Sequence, residues 1–184
     1  MTLDGPLLWF LNRGTGIVLI VLLTASTCLG VLALRGRAGA MLPAFVRQDV
    51  HRNISLLSTV LLFGHVVTAV VDQYVDIRWW QAFSPFGSTY KPLWLGLGAV
   101  SLDLILLVVV TSLFRARMSA RLWRNLHWFA YLAWAMGVAH SAGIGTDATT
   151  SWGRWLGLGC VGLVLLAATV RLAPAPRRTT QVVR

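Results

Sequence analysis

The chain has 184 residues, of which 57% are hydrophobic and 12% charged, and its mean hydropathy is +0.70; this composition excludes an ordinary soluble globular domain. Its 16 basic residues outnumber its 6 acidic ones, but they flank long apolar blocks and no nucleic-acid motif accompanies them, so the charge indicates membrane topology. Cys28 and Cys160 lie inside apolar blocks, which excludes a disulfide framework and a cysteine-rich metal site and predicts free, packed thiols.

Five apolar stretches meet or approach the length of about 20 residues that a membrane-spanning helix needs. The sequence therefore predicts an all-α integral membrane protein with a bundle of five transmembrane helices. In chain order the predicted helices cover residues 14–34, 50–72, 92–114, 120–145 and 153–172, and a tail covers 173–184. The first stretch is long for a signal peptide. It also lacks the usual pattern of positive charge before the apolar run and a small-residue cleavage site after it, so we expect it to remain as a helix.

The basic residues concentrate in alternate connecting segments. Twelve lie between helices one and two, after helix three, or at the carboxyl end: Arg35, Arg37, Arg47, Arg52, Arg115, Arg117, Arg121, Arg124, Arg171, Arg177, Arg178 and Arg184. The other four are Arg13, Arg78, Lys91 and Arg154. Because cytoplasmic loops concentrate Lys and Arg, we predict an amino terminus outside and a cytoplasmic carboxyl terminus. A composition rich in Ala, Leu, Val and Arg suggests a bacterial plasma membrane.

The loop between predicted helices two and three is rich in aromatic residues. They are Trp79, Trp80, Phe83, Phe86 and Tyr90. Such residues suit the membrane–water interface, so the loop is expected to lie on the outer membrane surface. A docking surface for an external partner is the alternative.

The four histidines all fall on predicted helices two and four. His51 and His65 are separated by about 21 Å of helical rise, and His127 and His140 by about 19.5 Å. Since the two helices run in the same direction, His51 is predicted level with His127 (the inner pair), and His65 with His140 (the outer pair). Two imidazoles on neighbouring helices can ligate one haem iron from opposite faces. The pattern predicts two haems, although a single intramembrane histidine could simply hydrogen-bond a neighbouring helix.

One geometric difficulty concerns the fourth helix. On an ideal helix, 14 residues return His65 to within about 40° of His51, whereas 13 residues leave His140 about 140° from His127. Tilt, different rotamers or a helix distortion near Gly137 could reconcile this.

Small and acidic residues near the histidines admit two interpretations each. Gly64 and Gly137 could leave room for a porphyrin face or allow close helix packing. Asp103, near the middle of the third helix, needs a partner because a carboxylate is costly there. A hydrogen bond to another helix is one interpretation, and a proton path or charge compensation for a haem is the other.

Three arginines are candidates to neutralise haem propionates. Arg52 and Arg124 adjoin the inner pair, where the concentration of cytoplasmic positive charge explains them equally well. Arg13 lies at the outer end of the first helix, where that explanation does not apply, and is the stronger candidate for the outer haem.

Helices two and four carry His-x13-His and His-x12-His, and the runs WRNLHWFAY at 123–131 and HSAGIGTD at 140–147 accompany the second pair. With these features the chain, from about Arg13 to Arg171, resembles the ferric-reductase-like transmembrane domain of NADPH oxidases, ferric reductases and the haem subunit of the bacterial periplasmic methionine sulfoxide reductase. We assign this domain to residues 1–172. The resemblance implies two haem b groups, with iron held by His51 and His127 at the inner site and by His65 and His140 at the outer one, and outward electron flow.

The predicted function is therefore transmembrane electron transfer, as the haem-bearing subunit of an oxidoreductase. The sequence encodes no dinucleotide-binding turn, so we expect a separate cytoplasmic flavin reductase or a membrane quinol as donor. Candidate acceptors are a ferric chelate, oxygen, a flavin or an extracytoplasmic partner reductase. No residue suggests acid–base or nucleophilic catalysis, and no nucleic-acid partner is expected. The alternatives are a metal-ion transporter using His and Asp ligands, and a structural membrane subunit without haem.

Overall fold

A computed structural model of the protein describes residues 6–33, 43–72, 75 and 77–173. All the regular structure in these ranges is helical, which confirms the all-α prediction for them. The α-helices are α1 (Pro6–Ala33), α2 (Ala44–Val71), α3 (Pro92–Leu113), α4 (Ala120–His127), α5 (Phe129–Ile144) and α6 (Ser151–Leu172). Short 3₁₀ helices occupy Trp79–Ala82, Arg115–Arg117 and Thr146–Thr149. The predicted tail beyond Ala173 lies outside the described residues, as do Arg35 and Arg37.

Among the described residues, four helices are long and apolar enough to cross a membrane by length and composition: α1, α2 over Phe45–Val71, α3 and α6. α5 has 16 residues, which spans about 24 Å at the helical rise and is shorter than a typical bilayer core. The composition and these helices are compatible with a membrane protein.

Two helices begin earlier than the apolar pattern predicts. α1 begins at Pro6, a residue favoured in the first helical turn, so Arg13 lies inside the helix. α2 begins after Pro43, whose carbonyl accepts a hydrogen bond from Arg47 N at 3.2 Å. Charged residues end an apolar block in the sequence, but they do not end the backbone hydrogen-bond ladder. Arg47 therefore belongs to the helix that carries His51.

The predicted helix 120–145 is interrupted at Trp128, which separates α4 from α5. Around this residue Tyr131 N bonds to Trp128 O at 3.1 Å, a tighter i to i+3 bond than the α-helical one. His127 therefore ends one helix and His140 lies on the next. The angle of about 140° expected for an ideal continuous helix no longer applies to this pair.

The helices pack as two pairs joined through α1. The most extensive interfaces are α1 with α2 and α3 with α5, and α1 also contacts α5 and α6. Polar side chains bridge these interfaces: Ser101 Oγ donates to Ala133 O at 2.8 Å, and Trp134 Nε1 donates to Thr24 Oγ1 at 3.0 Å. The two thiols are free, Cys160 buried and Cys28 half-buried, as predicted.

The aromatic loop after α2 is ordered by one buried glutamine. Gln81 Oε1 accepts a hydrogen bond from Arg78 N at 2.8 Å, and its Nε2 donates to Gly87 O at 2.9 Å. Gly87 has a φ of 86°, a left-handed conformation that favours glycine. The aromatic side chains predicted for the membrane surface are all exposed: Trp79, Trp80, Phe83, Phe86 and Tyr90.

Candidate histidine site

The inner pair, His51 and His127, is brought together. The two ring centroids lie 6.2 Å apart, with an angle of 71° between the ring planes. Both rings line one pocket, to which α1, α2, α3, α4 and α5 contribute. The exposed surface of this lining is mostly apolar, and the polar or aromatic lining residues other than histidine are Ser26, Thr27, Ser55, Ser58, Thr59, Tyr131 and Trp134.

The two inner rings are held in different ways. His51 Nδ1 lies 3.1 Å from the hydroxyl of Ser26, which is itself 2.9 Å from the hydroxyl of Ser55. His127 instead stacks on Trp123, with the ring centroids 4.9 Å apart. Its Nδ1 is buried and has no hydrogen-bond partner within the described residues. The inner pair thus combines one ring anchored by a hydroxyl with one anchored by stacking.

In the outer pair, His65 is held by the backbone of α1. Its Nδ1 lies 3.0 Å from Asn12 O and 3.3 Å from Thr15 Oγ1. Gly16 allows this approach, because a Cβ at that position would lie 3.1 Å from His65 Cε1. The absence of a side chain at Gly16 therefore lets the imidazole lie against the helix.

His140 is held by α3 in the same manner. Its Nδ1 lies 2.8 Å from Trp94 O. A Cβ on Gly98 would lie only 2.5 Å from that Nδ1. In both cases the accepting carbonyl belongs to a residue four positions before the glycine, one turn earlier on the same helix. The two outer histidines therefore have matched supports on different helices.

These carbonyls fix the tautomer of both outer histidines. A carbonyl oxygen can only accept a hydrogen bond, so Nδ1 must carry the proton. In a neutral imidazole the other nitrogen, Nε2, then bears the free lone pair. Metal-ligating histidines commonly donate Nδ1–H to a backbone carbonyl in this way. In this tautomer, Nε2 of His65 and of His140 is left without the proton.

The arginines predicted to meet propionates lie elsewhere or have other partners. Arg13 forms an ion pair with Asp147, in which its Nε is 2.6 Å from Oδ2 and its Nη2 contacts Oδ1. Its guanidinium also lies 4.9 Å from the ring centroid of Trp9. Arg52 is 68% exposed and lies 3.7 Å from Asp49, and Arg124 is exposed.

The sequence interpretation missed Arg47, which is half-buried and whose Nε and Nη1 atoms are buried without a partner within the described residues. The signal for it was its spacing: Arg47 precedes His51 by four residues, so the two share a face of α2. Arg52 adjoins His51 in sequence, but adjacent residues on a helix point about 100° apart.

The other candidate residues are also placed. A Cβ on Gly64 would meet nothing within 4 Å, and one on Gly137 would lie 3.2 Å from Ser101 Oγ, so Gly137 serves close packing of α5 on α3. Asp103 is exposed on α3 and has no hydrogen-bond or ion-pair partner in the described part of the chain. Within the same residues no three His, Cys, Asp or Glu side chains converge.

Over the described residues, fold and site together define an all-helical structure with four candidate membrane-spanning helices, in which His51 meets His127 and His65 and His140 are each held by a backbone carbonyl. The chain belongs to the family defined as the domain of unknown function DUF8596, whose model matches residues 7–147. The matched segment includes all four histidines, both glycines that support the outer pair, and both residues of the Arg13–Asp147 ion pair. No curated protein and no solved structure matches the chain.

Proposed function

We propose that the protein is a membrane electron-transfer subunit that binds two b-type haems between α2 and the α4–α5 segment. His51 and His127 would ligate the iron of the inner haem, and His65 and His140 that of the outer one. The single observation that carries the proposal is the matched support of the outer histidines, whose Nδ1 atoms donate to backbone carbonyls and leave Nε2 as the ligating nitrogen. The proposed role extends the resemblance to ferric-reductase-like transmembrane domains.

The inner pair supports the same proposal through its spacing. Imidazole nitrogens lie about 2 Å from a bound metal, so two rings on one metal atom would have centroids about 6 Å apart. The observed separation is 6.2 Å. The mostly apolar surface of the pocket around both rings also suits a large apolar group with a metal at its centre.

The residues of the chain would position the carriers and exclude water. The inner rings are oriented by two side chains, those of Ser26 and Trp123. The outer rings are oriented by the carbonyls of Asn12 and Trp94 and by the space left at Gly16 and Gly98. Bound haems would supply one-electron carriers, and ligation of each iron by two histidines would favour electron transfer over direct oxygen binding. Side chains would then tune the reduction potentials through hydrogen bonds and nearby charges.

In this proposal α4 and α5 together complete a fifth crossing of the membrane, with the amino terminus outside and the carboxyl terminus in the cytoplasm. Electrons would enter on the cytoplasmic side from a flavoprotein or a membrane quinol. They would leave to an external acceptor such as a ferric chelate, oxygen, a flavin or a partner reductase. The alternating distribution of arginines supports this orientation, and a bacterial plasma membrane is the proposed location.

The experiment is a measurement of haem content and redox spectra on the protein purified in detergent. We expect about two haems per chain with a low-spin b-type spectrum after dithionite reduction. Each of the four His→Ala variants should lose about one haem. Thr111→Ala is the matched control, because its hydroxyl bonds only to carbonyls of its own helix, and it should keep both.

A colourless protein expressed with sufficient haem would overturn the proposal. Metal analysis of the same preparation would then test for a bound ion of another kind. A protein with one haem per chain would restrict the function to one histidine pair, and the His→Ala variants would identify which.

A further inference from the structure

Unpartnered buried donors gather around the inner pair. In the described part of the chain, the buried side-chain nitrogens and oxygens without a hydrogen-bond partner are Arg47 Nε and Nη1, Trp123 Nε1 and His127 Nδ1. All four atoms are nitrogens on residues that can donate hydrogen bonds. Buried polar groups in proteins are nearly always hydrogen-bonded, so each exception needs an explanation.

The donors are placed symmetrically about the two rings. Arg47 precedes His51 by four residues on α2, and Trp123 precedes His127 by four residues on α4, so each lies one turn from its histidine on the same face. Trp123 stacks on His127, and the guanidinium of Arg115 lies 4.5 Å from the Trp123 ring centroid. Each inner histidine therefore has a residue with an unpartnered buried donor one helical turn before it.

A guanidinium in this position needs an anion. Two of its nitrogens are buried without an acceptor, which is costly, and the sequence has only 6 acidic residues. Asp49 is the only acidic residue on α2, and it lies 3.7 Å from Arg52. The missing partner of Arg47 is therefore expected to be a group supplied by a ligand.

We infer that Arg47, with Trp123 Nε1 as a second donor, binds a carboxylate of the inner haem. This inference rests on the proposed function. Arg47 thereby takes the role that the sequence suggested for Arg52 and Arg124, both of which are exposed. A phosphate of an anionic lipid offers similar chemistry, but the unpartnered atoms are buried within the protein beside the ligand helices, which favours the haem as the source.

The test compares Arg47→Gln, Arg47→Lys and the exposed control Arg52→Gln in the haem-loaded protein, reconstituted in nanodiscs. Two quantities are measured: the rate at which one haem passes to a haem-free globin, and the midpoint potentials of both haems. We expect Arg47→Gln to release the inner haem about tenfold faster, as for a lost charge-assisted hydrogen bond. Its potential should fall, because a positive charge that stabilises the reduced iron is removed. Arg47→Lys should be intermediate, and Arg52→Gln should match the parent.

The outcomes separate this inference from the proposal beneath it. If the parent holds two haems and Arg47→Gln keeps both the parent's release rate and its potentials, the inference is wrong and the proposed function stands. If the parent holds no haem, both are wrong. If the effect of Arg47→Gln occurs in nanodiscs with anionic phospholipid and disappears in purely zwitterionic ones, the ligand is a lipid phosphate and the inference is overturned.

A second variant protects the test against misfolding. Trp123→Phe keeps an aromatic ring to stack on His127 but removes the Nε1 donor. We expect a smaller acceleration of haem release, in the same direction. If Arg47→Gln does not fold, an unchanged release rate in Trp123→Phe overturns the inference, and a faster release supports it.

Discussion

The inner and outer histidine pairs differ in what holds their rings. Each outer ring donates to a backbone carbonyl of a neighbouring helix, Asn12 O or Trp94 O, and lies against a glycine. The inner rings rely on side chains: His51 on the hydroxyl of Ser26, and His127 on the ring of Trp123. A carbonyl permits one tautomer, whereas a hydroxyl can donate or accept.

The difference shows which site the protein builds by itself. The described residues satisfy Nδ1 of both outer histidines. The inner pair adjoins an open pocket and is surrounded by donors without partners. In the proposed function the helices therefore preorganise the outer site, while the inner site would need a bound group to complete its hydrogen bonds. A change to helix packing should therefore have a large effect on the outer pair. Removal of a single hydroxyl should have only a small effect on the inner pair.

The largest expected effect is at Gly98. In Gly98→Ala the new Cβ would lie 2.5 Å from His140 Nδ1, so the imidazole must move and its bond to Trp94 O must break. We expect loss of the outer haem and a destabilisation of about 2 kcal/mol, typical of overpacking. Haem content and thermal unfolding in detergent measure the two effects.

Gly64→Ala is the matched control, since a Cβ there meets nothing within 4 Å. It should keep both haems and be no less stable than the parent, because alanine favours helix. Retention of both haems and of full thermal stability in Gly98→Ala would contradict the role assigned to this contact.

The second prediction concerns the Arg13–Asp147 ion pair, which joins α1 next to Asn12 to the 3₁₀ helix after α5. In Arg13→Gln the carboxylate of Asp147, whose side chain is 13% exposed, loses its cation. We expect a destabilisation of about 1 to 2 kcal/mol. The midpoint potential of the outer haem should shift, because the carbonyl that orients His65 belongs to the adjacent residue.

The control for this variant is Arg154→Gln, at the same end of the bundle. Arg154 is exposed and bonds to Thr149 O at 2.8 Å, so its loss should leave both potentials unchanged. If Arg13→Gln shifts the inner and outer midpoint potentials equally, the ion pair acts on the whole bundle. Its assignment to the outer site would then be wrong.

Sequence reasoning could predict the apolar helices and the level of the inner histidines, because composition and helical rise determine both. It could not predict the interruption at Trp128, because no proline or glycine marks the break. It also could not predict that the carbonyls of Asn12 and Trp94 accept from the outer histidines, because every residue carries a carbonyl. Gly16 and Gly98 were the available signal for these contacts. Arg47 was missed because adjacency in sequence drew attention to Arg52, although spacing by four residues determines which side chains share a helix face.

The smallest expected effect is at Ser26, and it tests the adaptable character of the inner pair. Ser26→Ala removes the hydroxyl that His51 Nδ1 and Ser55 share, at an expected cost of about 1 kcal/mol. Because the ring can still rotate and the pocket beside it is open, we expect both haems to remain, with only a small shift in the inner midpoint potential.

Ser58→Ala is the matched control. Ser58 is buried and lines the same pocket, but its hydroxyl bonds to Ile54 O of its own helix, so neither potential should change. If Ser26→Ala loses the inner haem as fully as Gly98→Ala loses the outer one, then the inner site is as preorganised as the outer, and the contrast between the two pairs does not hold.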